Sequence, residues 1–445
     1  MAKQLPKKKR LTSFRIIILG FIGLILLGSV LLMLPVSARS HTVTPFSQAL
    51  FTSVSAACVT GLVVQDTATH WSVFGQAVIL VLIQIGGLGV VTMMASIALL
   101  SGKRLSLSQR STMQNAISAP MLGGIVRLTK FVVKGTVIIE LSGAVLMMPV
   151  FIKDYGAKGI WMSFFHSVSA FCNAGFDIMG TPDSKFRSMT SYASNPLINA
   201  VIMLLIIIGG ISFITWTDVA KYKLKIKRYK LQTKLILLTS ALLIIVPAIL
   251  FFISDFKALP VGERILGSLF QSVTTRTAGF NTEDLTSMTA TGQAVSIVLM
   301  LIGGSPGSTA GGMKTTTFAV LIANAVASFR RKDDPEVFGR RIGAAAVRTA
   351  STLLLMYITL CFTGAAIISA AEGLPLKLSV FEAASALGTV GLTLGITPQL
   401  GQLSQCVLMT LMFLGRVGGL TVIFAAISTS SKKLSRLPQE NVTVG

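Results

Sequence analysis

The chain has 445 residues, of which 52% are hydrophobic and 12% charged, and a formal net charge of +23. So little charge excludes a soluble domain and marks an all-α polytopic membrane protein. Nucleic acid does not explain the positive excess, because 28 of the 39 Lys and Arg sit in five short stretches (3–15, 103–134, 221–234, 330–348, 432–436) between long apolar runs; this is the positive-inside pattern, with both termini cytoplasmic.

Residues 1–10 form a basic cytoplasmic tail. The apolar run Ile16–Leu34 that follows is too long for a signal peptide and lacks a cleavage site, so it is read as a membrane span. From there one order recurs four times: long apolar outer helix, short amphipathic segment, lone glycine, long apolar inner helix, basic loop. The repeats are residues 11–102, 125–220, 231–330 and 345–431, and residues 432–445 are a cytoplasmic tail. Outer helices are predicted at Ile16–Leu34, Phe131–Ile152, Leu235–Ile253 and Thr349–Ala370. Inner helices are predicted at Phe74–Leu100, Leu197–Val219, Gln293–Phe329 and Gln402–Ser428, most near the ~20 apolar residues that cross a bilayer.

The segments before each lone glycine are too short to span and read as re-entrant pore helices, Phe46 to Ala57 in the first repeat. Each starts from a phenylalanine (Phe51, Phe165, Phe270, Phe381) and reaches Gly61, Gly175, Gly279 or Gly391. Side chains around the glycine vary while the glycine stays, which points to backbone carbonyls as the working groups. Four such loops arranged pseudo-fourfold around one central pore would ring a cation with oxygen, as a potassium filter does. The expected potassium ligands are the backbone carbonyls of Val59, Thr60 and Gly61; Asn173, Ala174 and Gly175; Thr277, Ala278 and Gly279; and Thr389, Val390 and Gly391. One glycine per loop predicts a short filter with modest selectivity against sodium.

Each inner helix carries a second mark, Gly86-Gly87, Gly209-Gly210, Gly303-Gly304 and Gly415-Arg416. It serves either close packing or pore lining. In repeats one, two and four apolar residues continue past the mark, so the helix is expected to continue. Repeat three instead reads Gly303, Gly304, Ser305, Pro306, Gly307, Ser308, Thr309, Ala310, Gly311, Gly312, Met313, Lys314. Such a run cannot hold a helix, so a polar loop (303–315) is expected below the filter; it is either a helix break for packing or a gate, and a gate is favoured because only one repeat in four carries it. Its GxxxxG spacing imitates a phosphate-binding loop, but Lys314 falls one residue late and no strand precedes it.

Arg416 replaces the second glycine in repeat four. An arginine within an apolar helix faces the bundle interior and marks a pathway, so it is expected to hydrogen-bond the loop and limit flux; the alternative is a structural ion pair with a buried acid. Glu140 is a buried carboxyl whose partner the sequence does not name. Arg276 and Glu382, in successive pore segments, are expected to pair and brace the filter from behind, and His166 to cap the second pore helix. Cys58, Cys172, Cys361 and Cys406 show no metal spacing. The sequon at Asn441 falls on the predicted cytoplasmic side.

Together these residues resemble the Trk/Ktr/HKT superfamily of potassium transporters, closest to the KtrB/KtrD membrane subunits of bacterial Ktr systems. The likeness runs from about Leu11 to Gly445. It is carried by Leu82-Ile83-Gln84-Ile85-Gly86-Gly87-Leu88-Gly89, Thr275-Arg276-Thr277-Ala278-Gly279-Phe280-Asn281, Phe381-Glu382, Gly388-Thr389-Val390-Gly391-Leu392-Thr393 and Phe413-Leu414-Gly415-Arg416. The resemblance implies four filter glycines at Gly61, Gly175, Gly279 and Gly391, a gating loop at Gly303 to Lys314 and a pore arginine at Arg416. Glycine at 61, where some sodium-carrying relatives have serine, implies potassium. It further implies plasma-membrane potassium uptake by a homodimer on a cytosolic, octameric KtrA/KtrC-like ring of nucleotide-binding subunits (ATP/ADP), often sodium-stimulated. No enzyme activity or cofactor of the chain itself is expected. The alternative is a secondary potassium symporter coupled to sodium or protons.

Overall fold

The computed structural model describes residues 12–100, 106–117 and 124–418. The two tails, 1–10 and 432–445, lie outside the described residues. The first repeat comprises α1 (Ser13–Met33), α2 (Phe46–Cys58), α3 (Thr67–His70), α4 (Val73–Leu88) and α5 (Val90–Leu100), and α6 (Leu107–Ile117) follows it. The second comprises α7 (Ile125–Tyr155), α8 (Lys158–Cys172), α9 (Pro196–Gly210) and α10 (Phe213–Tyr222). The third has α11 (Leu231–Ser254), α12 (Val261–Thr274), α13 (Ala290–Leu301) and α14 (Thr315–Phe329). A small hairpin of β1 (Glu336–Val337) and β2 (Arg340–Arg341) leads to α15 (Ala344–Glu372), α16 (Leu376–Gly388) and α17 (Gln402–Val417).

Among the described residues four helices, α1, α7, α11 and α15, are long and apolar enough to cross a membrane. These are the outer helices; each starts a few residues before its predicted range, and α1 ends one residue short of it. The inner helices differ from expectation. α4 and α5 meet at a bend of 95°, and α9 and α10 at 100°, so the helices of repeats one and two do not run on past the glycine mark. Gly89, at φ +86°, ends α4 in a conformation that suits glycine. At the second break Ser212 caps α10, its Oγ accepting from Ile214 N at 3.3 Å. In repeat four α17 stops at Val417 with Gly418 at φ +87°; the rest of its predicted span lies outside the described residues.

The glycine marks are packing points. A β-carbon on Gly86, Gly209 or Gly415 would run into the backbone carbonyl of Ala57, Phe171 or Leu387 respectively. In repeats one, two and four the inner helix thus rests its glycine on the C-terminal end of the preceding short helix, and a side chain there would push the two apart, whereas Gly303 packs on Gly311 of its own loop. Serines on the pore helices tie down the outer side in the same way. Ser53 Oγ donates to Ile25 O (2.7 Å), Ser167 to Glu140 O (2.6 Å) and Ser272 to Ile244 O (2.6 Å). The four phenylalanines that head the repeated segments are fully buried.

Candidate ion-conduction site

The four lone glycines come together. A β-carbon on Gly61 would lie 3.1 Å from the Cα of Gly175, and one on Gly175 would lie 2.9 Å from that of Gly279. From Gly279 the distance to the Gly391 Cα is 3.3 Å, and from Gly391 back to Gly61 it is 3.0 Å. The contacts therefore run from first to last and return. All four glycines have positive φ (+96°, +66°, +84°, +95°). So does the residue two positions earlier in each copy, Val59, Asn173, Thr277 and Thr389, at φ between +52° and +71°. Left-handed backbone at β-branched residues is strained and persists only when the surroundings impose it. Alternating handedness turns successive carbonyls to one side, which is the geometry a backbone ligand set needs.

What imposes it is a hydroxyl at one register in every copy. Ser55 Oγ accepts from Gly61 N and Ser385 Oγ from Gly391 N, both at 3.1 Å. Ser169 Oγ donates to Phe176 O at 2.6 Å and Thr274 Oγ1 to Phe280 O at 2.5 Å. Sequence reasoning passed over these four residues, although a Ser or Thr at this place in all four copies was there to be read. The hydroxyls of Thr60, Thr277 and Thr389 are buried and unpartnered.

The expected Arg276–Glu382 ion pair does not form. Arg276 donates to Ser240 on α11, through its carbonyl (3.4 Å) and its Oγ (3.3 Å). Glu382 accepts from Leu394 N (3.3 Å), Thr397 Oγ1 (2.8 Å) and Thr393 Oγ1, all beyond Gly391. The two side chains follow phenylalanine at different offsets, so they face different elements. His166 is not a cap either. It lies inside α8, with Nδ1 on Met162 O (2.7 Å) and Nε2 accepting from Ile178 N (3.2 Å). His166 and Glu382 are equivalent positions, and each holds the amide three residues past its glycine.

One cavity adjoins the glycines and another adjoins the repeat-three segment. The first, of about 110 Å³, is lined by all four glycines together with Asp66 and Asp177. Burial raises the Asp177 carboxyl to about 7, and the neighbouring charge of Asp66 adds to the shift. The other, about 320 Å³, is lined by Gly87, Gly307, Ala310, Lys314 and Arg416.

The repeat-three segment is a buried non-helical loop, closed at its base by Gly303 N to Met313 O (2.7 Å) and Thr315 N to Gly304 O (3.0 Å). It clasps the break between α9 and α10. Ser305 N donates to Gly210 O (3.0 Å), Thr309 N to Gly209 O (3.1 Å), and Phe213 N to Gly307 O (2.8 Å). Thr309 Oγ1 adds a bond to Phe171 O at 3.0 Å. Lys314 Nζ bonds the carbonyls of Ala310 (2.8 Å) and Gly311 (3.2 Å) within its own loop. Arg416 donates to Thr309 O, to Gly86 O (2.5 Å) and to Gly87 O (2.7 Å). Its partners are carbonyls on the loop and on α4, so the alternative of an ion pair with a buried acid is set aside. Glu140 finds Gln84, whose Nε2 donates to Oε2 at 3.3 Å.

Short helices ending at convergent glycines, set among four helices long and apolar enough to cross a bilayer, define a multi-pass membrane protein. The model of the TrkH cation transport proteins matches residues 6–437, and the chain belongs to that family. It is 40% identical to the potassium/sodium uptake protein NtpJ of Enterococcus hirae, with 98% of each chain covered. It is 38% identical to the Ktr system potassium uptake protein B of Bacillus subtilis, covering 98% of this chain and 97% of that one. The solved potassium transporter TrkH of Vibrio parahaemolyticus shares the fold at a TM-score of 0.73 and 20% identity, over 95% of this chain and 86% of that one. The family is one of cation transport proteins and not of enzymes.

Proposed function

We propose that this chain is the ion-conducting subunit of a potassium uptake system, with four repeats set pseudo-fourfold around one pore. The observation that carries the reading is the closed succession of contacts among Gly61, Gly175, Gly279 and Gly391 at one cavity. Carbonyls of residues 59–61, 173–175, 277–279 and 389–391 replace the water shell of potassium, and the unpartnered hydroxyls of Thr60, Thr277 and Thr389 are spare oxygens for the ion or its water. The loop from Gly303 to Lys314, pinned by Arg416, is the gate. The positive-inside charge pattern supports a cytoplasmic side for the Arg416 cavity.

The kinship with Ktr membrane subunits supports a cytosolic regulatory partner, read here as an octameric nucleotide-binding ring under a homodimer. Passive conduction is favoured over proton-coupled symport, because Glu140 hydrogen-bonds Gln84 and lines neither the cavity at the four glycines nor the one at Arg416. Sodium stays within the reading as a stimulating ion. The test is potassium and sodium flux into liposomes carrying the purified chain, varying the other cation and the pH gradient separately. Flux that follows the potassium gradient alone supports a pore; flux that requires a sodium or proton gradient overturns it in favour of symport.

A further inference from the structure

The long groove between α11 and α14 lies away from the ion path. It encloses about 520 Å³. Leu238, Leu242 and Val246 wall one side and Phe318, Ile322 and Val326 the other. Its depth comes from Ala319, Ala323 and Ala327, spaced by four along α14, which put methyl groups where larger side chains would close the gap. Most of these walls are exposed or partly exposed. In water such a strip would be an adhesive patch; at membrane depth it is a slot for hydrocarbon.

One end of the slot is chemically different. Arg330 and Lys332, just past the end of α14, line it beside the β1–β2 hairpin. Lys332 is paired with Glu336 at 2.7 Å, whereas the Arg330 guanidinium is exposed and bonds no other described residue. Across the hairpin a second hollow is lined by Lys227, Arg228, Lys234 and Arg340 with no acidic residue. The slot is thus apolar along its length and basic at the mouth. Basic pockets at the ends of membrane helices suit anionic headgroups, with the acyl chains lying against apolar side chains. A second copy of this chain, docking here through the same face, would bring two basic mouths together and be repelled.

We propose that the α11–α14 groove holds one anionic phospholipid, its acyl chain along Ala319, Ala323 and Ala327 and its phosphate on Arg330. The test is native mass spectrometry of the purified full-length chain, incubated with equal amounts of phosphatidylglycerol and phosphatidylcholine. The unmodified chain is expected to retain one phosphatidylglycerol at least about tenfold in preference to phosphatidylcholine. Ala323→Phe, which fills the slot, should abolish retention of both. Arg330→Ala should reduce the preference about threefold or more while leaving phosphatidylcholine unchanged. Potassium flux in phosphatidylcholine liposomes, expected to be unchanged in both variants, verifies that they fold. Equal retention of the two lipids, or an undiminished phosphatidylglycerol count in Ala323→Phe, overturns the proposal. So does a dimer that falls apart in Ala323→Phe with the lipid count unchanged, because the groove would then be covered by a second copy.

Discussion

Replacing Arg416 with alanine should make the pore leak. The guanidinium makes three bonds, two to carbonyls of α4 and one to Thr309 O on the loop, so it holds the loop against the first repeat's inner helix. Of the three, only the Thr309 bond reaches the loop, and a charge-assisted hydrogen bond contributes ~1.5–3 kcal/mol. With tenfold per ~1.4 kcal/mol, the ratio of open to closed loop should rise about 10- to 150-fold. The bonds from Thr309 N and Ser305 N to Gly209 and Gly210 survive the change, which favours the lower end of that range. The assay is potassium flux into liposomes carrying the chain alone. Arg416→Lys separates two causes: a lysine keeps the charge but cannot fork between α4 and the loop. If charge alone restrains flux the lysine variant stays slow, and if tethering does, it leaks as alanine does. A rate for Arg416→Ala within about twofold of the parent would refute the tether and the charge together, since either effect exceeds RT.

Gly391→Ala should lower potassium flux about tenfold or more, because φ +95° alone costs ~1–2 kcal/mol for a side chain and its β-carbon meets the Thr60 carbonyl; a parent-like rate would dismiss the ring. Asp177 becomes neutral as the pH at its mouth falls through about 7, removing a negative charge from the cavity at the four glycines. Influx should therefore decline about two- to tenfold in acid and recover above neutrality, with Asp177→Asn giving a flat, low profile; an unchanged pH profile in that variant would count against the assignment. Glu140→Gln should leave uptake and its pH dependence within about twofold of the parent, whereas Glu140→Ala, by stranding Gln84, should lower stability by ~1–3 kcal/mol in thermal melts. Loss of proton-dependent uptake in Glu140→Gln would instead indicate coupling.

Much of this architecture was legible because membrane burial writes length into sequence. The outer helices, the glycine copies and the broken third inner helix follow from apolar run length and glycine content. Direction was not legible. Leu88-Gly89-Val90 and Ile211-Ser212-Phe213 read as continuing apolar helix, because hydropathy is the same on both sides of a 95° or 100° turn. The partners of Arg276, Glu382 and His166 were misread for a related reason: sequence gives a buried polar group the need for a partner but not the element that supplies it. The hydroxyls at Ser55, Ser169, Thr274 and Ser385 were the opposite case, a signal present in all four copies and overlooked.

The contact of Gly391 with Gly61 has a consequence for how the protein is made. The bond from Arg416 to Gly86 O spans 330 residues of chain, and the glycine contact spans a similar length. The thermodynamic penalty for closing so long a loop is modest, since it grows only with the logarithm of length. The order of events is another matter, because the first repeat leaves the ribosome long before the residues that complete it exist. Three repeats in the bilayer leave Gly61 and Gly279 each without a neighbour on one side. A chain stalled short of the fourth repeat would therefore hold these glycine contacts as an unclosed arc, completed only when synthesis was nearly finished.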